Sequence, residues 1–134
     1  MAAAACSRPT STETFLRGNG PYTFTVDMAD STAAYDFDLY TRVDAAGDPG
    51  SILLNITWKA PSDSAFTESV YLPVSQGASP FSRDAYAPYR AGVVPVENGI
   101  WTVTVAVPRP PEGLCGMGLV VRRSVLGSQV VDNQ

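Results

Sequence analysis

Hydrophobic and polar residues alternate along most of the chain from Pro21 onward, and a period of two is typical of β-strands. In segment 21–28 the side chains of Tyr22, Phe24 and Val26 fall on one face, while threonine and aspartate fall on the other. The same alternation recurs in segments separated by residues that favour turns. We therefore predict seven strands, over residues 21–28, 35–43, 52–59, 66–74, 93–96, 100–107 and 114–124.

Short strands with one apolar face each are typical of two antiparallel sheets packed face to face. We therefore predict an all-β, two-sheet β-sandwich of about seven to eight strands, jelly-roll or immunoglobulin-like in kind. The sandwich is expected over residues 21–125, between a flexible tether over residues 1–20 and a C-terminal tail over residues 126–134. The Asn-Gly pair at 98–99 predicts a hairpin, and residues 75–91 form the one long irregular stretch.

Composition and charge exclude several classes of function. None of the 134 residues is histidine, which removes the commonest metal ligand and serine–histidine catalysis. The net charge of −4 has the wrong sign for binding a phosphate backbone. We therefore expect no metal, no cofactor and no nucleic-acid partner.

Cys6 is a candidate for lipid attachment because it directly follows the small residues of MAAAA, as at the processing site of a bacterial lipoprotein signal. A thioether-linked diacylglycerol and an N-acyl chain would bury several hydrocarbon tails, at about 0.8 kcal/mol per CH₂, which is enough for stable anchoring. Residues 7–13 are polar, as a tether should be. The alternative is that a short alanine run precedes this cysteine by chance.

Several stretches of the chain resemble the GldH lipoproteins of gliding motility in the Bacteroidota. YTFTVDMADSTAAYDFDLYTRVD (22–44) looks like that family's opening hairpin, and TESVYLPV (67–74) is similar to the strand after its central loop. NGIWTVTVAV (98–107) resembles its Gly-Thr-Tyr-Thr-Phe strand, and LCGMGLVVRR (114–123) its final strand. The family's Gly-x-Trp-x-Gly phrase has no clear equivalent, and prolines at 108–111 replace one polar segment.

This resemblance implies a lipid-anchored β-sandwich, attached to a bacterial membrane through Cys6, that works in the cell envelope with other lipoproteins and membrane proteins. Members of the family are required for gliding and for the associated type IX secretion machinery, and no enzymatic activity is established for them. Residues 7–9 lack the acidic cluster that often marks surface export in this phylum, so the domain is expected to face the periplasm. The implied role is that of a non-catalytic binding or assembly component.

Two segments supply candidates for a contact surface. Polar side chains share one face of the strand 35–43 and should face solvent. The stretch 75–91 concentrates tyrosine and arginine, which are enriched at interface hot spots, and long irregular connections are often functional; the alternative is that its rings cap the open end of the sandwich. The candidate partner-binding residues are Asp36, Asp38, Tyr40, Arg42, Phe81, Arg83, Tyr86, Tyr89 and Arg90.

Two other functions are compatible with aspartate and aromatic residues of the chain. Asp36 and Asp38 lie about 6.5–7 Å apart along a strand, a spacing that permits glycoside hydrolysis, but carboxylates on an outer strand face are usually solvated and we expect no enzyme. A carbohydrate-binding or adhesion module is the alternative from another class. Trp58 and Trp101 fall in register with apolar neighbours and are predicted to be buried. The aromatic residues left to contact a sugar are Tyr40 and Tyr71 on outer faces, and Phe81, Tyr86 and Tyr89 in the long stretch.

Overall fold

The computed structural model describes residues 10–44, 51–73 and 82–125. The predictions on Cys6, on Phe81 and on the tail over residues 126–134 lie outside this part of the chain, as do residues 1–9 of the predicted tether and residues 75–81 of the predicted irregular stretch. The described residues form eight strands: β1 Thr10–Arg17, β2 Tyr22–Met28, β3 Ala33–Asp44, β4 Ser51–Lys59, β5 Ala65–Pro73, β6 Ser82–Val93, β7 Gly99–Ala106 and β8 Leu114–Val125.

The strands form two antiparallel sheets of four. Sheet A has the order β1-β8-β3-β6, and sheet B has the order β2-β7-β4-β5. Among the described strands only β4 and β5 are both consecutive in sequence and hydrogen-bonded to each other, so most connections cross between the sheets. This arrangement is an eight-stranded jelly roll, and it confirms the predicted all-β sandwich.

The core lies between the sheets because each strand turns its apolar side chains inward. In β2 and β4 every second residue is buried, as a period of two requires. Trp58 and Trp101 are 4% and 7% exposed, which confirms that both tryptophans belong to the core. An edge-to-face contact of 5.1 Å between the ring centroids of Phe37 and Trp58 joins the two sheets.

The two predicted hairpins are wrong. β2 and β3 lie in opposite sheets, and so do β6 and β7, which flank the Asn-Gly pair. The Asn98 side-chain amide instead donates to the carbonyl oxygen of Met28 at 3.2 Å. Gly99 adopts a φ of 143°, which favours glycine. Turn residues mark where a strand ends, but they do not determine which sheet the next strand joins.

Strand β1 replaces the second half of the tether predicted over residues 1–20. It pairs with β8 along its whole length, from Thr10 opposite Arg123 to Arg17 opposite Gly116. Positions 12, 14 and 16 share the inward face, because position 14 is opposite the buried Leu119 of β8. Two of these three inward residues are threonine. Threonine gives no apolar signal, so the hydrophobic pattern does not reveal this strand.

The irregular stretch predicted over residues 75–91 is wrong from Ser82 onward, where β6 begins. Pro88 is an unusual residue within a strand, because proline removes a backbone donor. However, β6 is an edge strand that pairs only with β3, and proline is tolerated at a sheet edge.

A β-bulge also interrupts the alternation of inward and outward residues in β6. Phe37 pairs with Arg90 and Asp38 pairs with Pro88, so Tyr89 is an extra residue on the bulged strand. A bulge redirects a side chain. Tyr89 accordingly packs against the core, while Pro88 and Arg90 remain paired with β3.

Candidate functional site

The outward side chains of sheet A form cross-strand rows, which we call the outer face. One row contains Phe15 of β1, Gly118 of β8, Tyr40 of β3 and Tyr86 of β6. Position 40 and its alternate neighbours 36, 38 and 42 point away from the core residues Phe37 and Leu39. The predicted face of β3 is therefore confirmed, and β6 adds Tyr86 to it.

Gly118 allows the aromatic rings of this row to approach one another. A Cβ atom built on Gly118 would overlap the Tyr40 ring, so the ring lies across β8 where a side chain would otherwise stand. The ring centroids of Tyr40 and Phe15 are 5.8 Å apart, and those of Tyr40 and Tyr86 are 6.1 Å apart, with planes inclined by 15° and 17°. The three rings form a stacked row over a glycine, and stacked pairs of this kind contribute about 0.5–1.5 kcal/mol each beyond burial.

Both tyrosine hydroxyls of the row are held by carboxylates. Tyr40 donates to Oε2 of Glu13 at 2.5 Å. Tyr86 donates to Oδ2 of Asp38 at 2.6 Å. The rings are thus oriented before any partner arrives, although Tyr86 remains 58% exposed.

Asp38 is buried, whereas the sequence predicted it to face solvent. Nη1 of Arg122 donates to Oδ2 of Asp38 at 2.7 Å, and with Tyr86 it covers the carboxylate, which is 7% exposed. The outward direction of the side chain was predicted correctly, but the cover is supplied by neighbouring strands. The sequence of β3 alone does not show that Arg122 of β8 and Tyr86 of β6 lie over this carboxylate.

Electrostatics in this cluster favour the ionised carboxylate. The hydrogen bond from Arg122 lowers the pKa of Asp38 below 3.8, against the opposing effect of burial, and the Tyr86 hydroxyl adds to the lowering. The hydrogen bond between Tyr86 and Asp38 raises the pKa of Tyr86, because the carboxylate holds the hydroxyl proton. The hydrogen bond between Arg122 and Asp38 raises the pKa of Arg122. The cluster is therefore a fixed ion pair at neutral pH.

The other candidates on the outer face lie around this cluster. Oδ1 of Asp36 accepts a hydrogen bond from the backbone amide of Gly92 at 2.7 Å, which ties β3 to β6 next to the bulge. Arg42 is exposed and stands opposite Asp84 in the strand register. Arg83 belongs to β6 opposite Val43, and its side chain is outside the described part.

Tyr89 and Arg90 do not belong to the outer face but close one edge of the sandwich. Tyr89 accepts a hydrogen bond from Nε1 of Trp58 at 2.8 Å and donates to Oε2 of Glu68, while Nη2 of Arg90 donates to the same oxygen at 2.6 Å. Glu68 lies on β5, so these bonds link the edge strands of the two sheets. Burial disfavours ionisation of Glu68, but the bonds from Tyr89 and Arg90 outweigh it and lower its pKa.

Sequence reasoning missed four contributors to the outer face. Phe15 and Glu13 lie in the segment predicted as a tether, and Arg122 and Gly118 belong to the last strand. A signal did exist in β8, where Gly116 and Gly118 alternate on one face, because glycine inside a strand often marks a close approach.

The described residues show no arrangement for metal chemistry. Within residues 10–44, 51–73 and 82–125, no group of three or more Cys, Asp or Glu side chains is placed to hold a metal ion. Asp36 and Asp38, whose spacing permits glycoside hydrolysis, are each engaged by other groups of the chain. The described part also contains no helix long and apolar enough to span a membrane.

Comparison with known proteins shows little. No protein-family model and no curated protein matches the chain. A cyanophage Pam1 capsid chain is 16% identical, over 87% of this chain and 84% of that one, with a TM-score of 0.44. The Yersinia pseudotuberculosis-derived mitogen is 6% identical, over 89% and 86%, with a TM-score of 0.36. The enzymatically active domain of bacteriophage CBA120 tailspike protein 4 is 14% identical, over 90% of this chain but 20% of that one, with a TM-score of 0.35. Similarities of this size carry no argument about function.

We expect Gly118→Ala to destabilise the fold by about 1–3 kcal/mol, because the added methyl group displaces the Tyr40 ring. Urea unfolding monitored by tryptophan fluorescence measures the change. The double variant with Tyr40→Ala removes the clash, so the cost of the glycine substitution should largely vanish in that background. Equal costs in both backgrounds would show that the ring does not lie over the glycine.

We expect Asp38→Asn to cost about 1–3 kcal/mol at pH 7, because the charged hydrogen bonds to Arg122 and Tyr86 are weakened. The pKa of Asp38 is lowered in the folded state, so the stabilisation is present above pH 3.8 and is lost as the pH falls through the folded pKa. The stability gap between wild type and variant should therefore shrink only at acidic pH. Asp63→Asn, whose side chain is 82% exposed, is the control and should change little.

Proposed function

We propose that this chain is a non-catalytic binding module that contacts a partner protein through the outer face of sheet A. The observation that carries the proposal is the stacked row in which Tyr86 is 58% exposed yet held by Asp38. Tyrosine and arginine dominate interface hot spots, and side chains fixed in advance lose less conformational entropy on binding. The exposed Tyr86 ring and the half-exposed Arg122 are therefore suited to anchor a partner.

The geometry of the row favours a protein over a sugar as the partner on this face. Sugars bind by stacking on the open face of an aromatic ring. Here the Tyr40 ring stacks between those of Phe15 and Tyr86, with centroids 5.8 and 6.1 Å apart, so it has a ring neighbour on either side. The accessible groups are Tyr86, which ends the row and is 58% exposed, and the half-exposed guanidinium of Arg122.

The proposed setting is the cell envelope, with the chain as a lipoprotein of the GldH type anchored through Cys6 and facing the periplasm. Support comes from Cys6 after its alanines and from the resemblance of the segments 22–44, 67–74, 98–107 and 114–123. Cys6 precedes Thr10, the first residue of β1, by four positions, which at 3.3–3.6 Å per residue spans at most about 14 Å. A sandwich on so short a connection would stay next to the membrane, so its partner would be a membrane protein or another lipoprotein of the gliding or type IX secretion apparatus.

Replacing the proposed attachment site tests the anchor. In the native host we expect Cys6→Ser to move the protein from the membrane fraction to the soluble fraction and to abolish labelling with a fatty-acid analogue, since the acylated sulfur is lost. Cys115→Ser, at the half-buried thiol of β8, is the matched control and should keep both properties. Membrane association and labelling that survive Cys6→Ser would contradict lipidation.

A photoreactive residue on the outer face tests the contact. With p-benzoylphenylalanine in place of Tyr86, we expect one discrete crosslinked product in intact cells, identified by mass spectrometry as an envelope protein. The same residue in place of Tyr71, which is 69% exposed on sheet B, is the matched control and should not give that product. Adding Arg122→Ala should reduce the yield at position 86. The same product from both positions, or none from position 86, would overturn the proposed surface.

A further inference from the structure

Exposed apolar side chains are concentrated at one end of the sandwich, which we call the apolar end. Among the described residues six large hydrophobic side chains are exposed, and two of them are tyrosines on outward faces. The other four are Phe66, Val94, Val96 and Ile100, which are 51%, 56%, 90% and 54% exposed. They lie where β5 and β7 begin and in the segment between β6 and β7.

Thr10, the first residue of β1, lies at the apolar end as well. It pairs with Arg123 of β8, next to the place where β8 pairs with the start of β3. Residues 29–32 join β3 to β2, so the start of β3 lies at the same end as Met28, which pairs with the start of β7. The chain that follows Cys6 therefore enters the sandwich at the apolar end.

The connection from Cys6 is short compared with the sandwich. Its four steps to Thr10 span at most about 14 Å, whereas β1 measures about 23 Å from Thr10 to Arg17 at about 3.3 Å per residue. A lipid on Cys6 would therefore hold the apolar end next to the bilayer and the opposite end away from it. Val94 follows β6, at the other side of the same sheet, so a flat bilayer surface can contact both sides of this end.

Hydrogen bonds hold the segment that carries Val94 and Val96. The Glu97 carboxylate accepts from the backbone amide of Ser62 at 3.1 Å and from the Ser62 hydroxyl at 2.6 Å. The carbonyl oxygen of Glu97 accepts from Nε1 of Trp101 at 3.0 Å. The two valines are thus presented on a fixed segment, which reduces the conformational entropy that is lost on binding.

A shallow apolar groove of about 190 Å³ lies between these side chains. Phe66, Val94 and Val96 line it together with the buried Trp58 and Trp101. The groove is smaller than the roughly 300–1,000 Å³ of sites that enclose small molecules. Exposed apolar surface of this kind marks contact with a protein or a membrane. The position of Thr10 favours the membrane, because a lipid on Cys6 brings the bilayer to this end.

The charged groups at the apolar end are paired and do not favour an anionic surface. Nζ of Lys59 is 3.5 Å from Oδ1 of Asp63, and Nη1 of Arg123 is 3.7 Å from Oδ2 of Asp30. Arg90, which lines the groove, is bound to a glutamate of β5. Attraction of basic residues to anionic lipid therefore does not explain a membrane contact here. Insertion of apolar side chains at the boundary of headgroups and acyl chains does.

We propose that the apolar end rests on the lipid bilayer and inserts the side chains of Val94, Val96 and Phe66 at its surface. This inference rests on the anchor proposed at Cys6 and adds the orientation of the sandwich. The strands then run away from the membrane, and the outer face of sheet A stands upright on it. A partner held in the same membrane can reach Tyr86 in that orientation.

A tether made in vitro tests the orientation without relying on acylation in the cell. The full chain with Cys115→Ser keeps Cys6 as its one thiol, because the chain has two cysteines. This thiol is coupled to maleimide-phosphatidylethanolamine in phosphatidylcholine vesicles, which gives a thioether to a lipid. Failure of the lipidation proposal is read from the fatty-acid labelling of Cys6→Ser in the host, and failure of the present proposal is read from the vesicles.

Photocrosslinking on the tethered chain reports which side chains touch lipid. With p-benzoylphenylalanine in place of Val96, we expect illumination to add the mass of a phospholipid to the peptide that contains position 96. The same residue in place of Tyr71 is the matched control and should give no such adduct. Tyr71 is 69% exposed but lies five residues beyond Phe66 on β5, about 17 Å further from the bilayer at about 3.4 Å per residue.

A charge on the apolar end should weaken the contact. Val94→Asp should lower the adduct yield at position 96 by about 3- to 10-fold, as expected when a valine side chain is no longer buried. Thr23→Asp, exposed on the outward face of β2, should leave the yield unchanged. The proposal is overturned if position 96 gives no phospholipid adduct, if position 71 gives as much, or if position 96 joins two copies of the chain instead.

Discussion

The Tyr40 ring lying over Gly118 is the contact on which the outer face of sheet A depends. Tyr40 comes from β3, covers β8 at its glycine, stacks on Phe15 of β1 and on Tyr86 of β6, and donates to Glu13. The side chain of Tyr40 therefore contacts each of the other three strands of the sheet. Any side chain at position 118 would separate these rings, because cross-strand neighbours stand only about 4.5–5.5 Å apart.

The jelly-roll order gives the sandwich two unlike edges, β5 with β6 and β1 with β2. At one edge the carboxylate of Glu68 joins β5 to β6 through Tyr89 and Arg90, so that edge is closed by charged hydrogen bonds. At the other edge, between β1 and β2, the core residues Phe24 and Leu119 are each 3% exposed and lie beneath threonines. The protein contact is proposed on the outer face of sheet A, and not between the sheets at either edge.

The two-sheet fold was predictable because β2, β4 and β7 have a clear period of two, and burial of Trp58 and Trp101 followed from the same register. The missing strand β1 has threonines on its inward face, and β6 contains Pro88 and a bulge, so neither shows that period. The outward face of β3 was also predictable. The burial of Asp38 was not predictable, because Arg122 lies far away in sequence and reaches Asp38 only through the pairing of β8 with β3.

The direct test of the central claim is the proton NMR spectrum of the folded chain at Gly118. If the Tyr40 ring lies over this glycine as the structure has it, the two α protons of Gly118 should be displaced strongly from their random-coil shifts by the ring current and should show nuclear Overhauser effects to the Tyr40 ring protons. Ordinary shifts for these protons, with no cross-peaks to Tyr40, would contradict the account of a face organised by this contact.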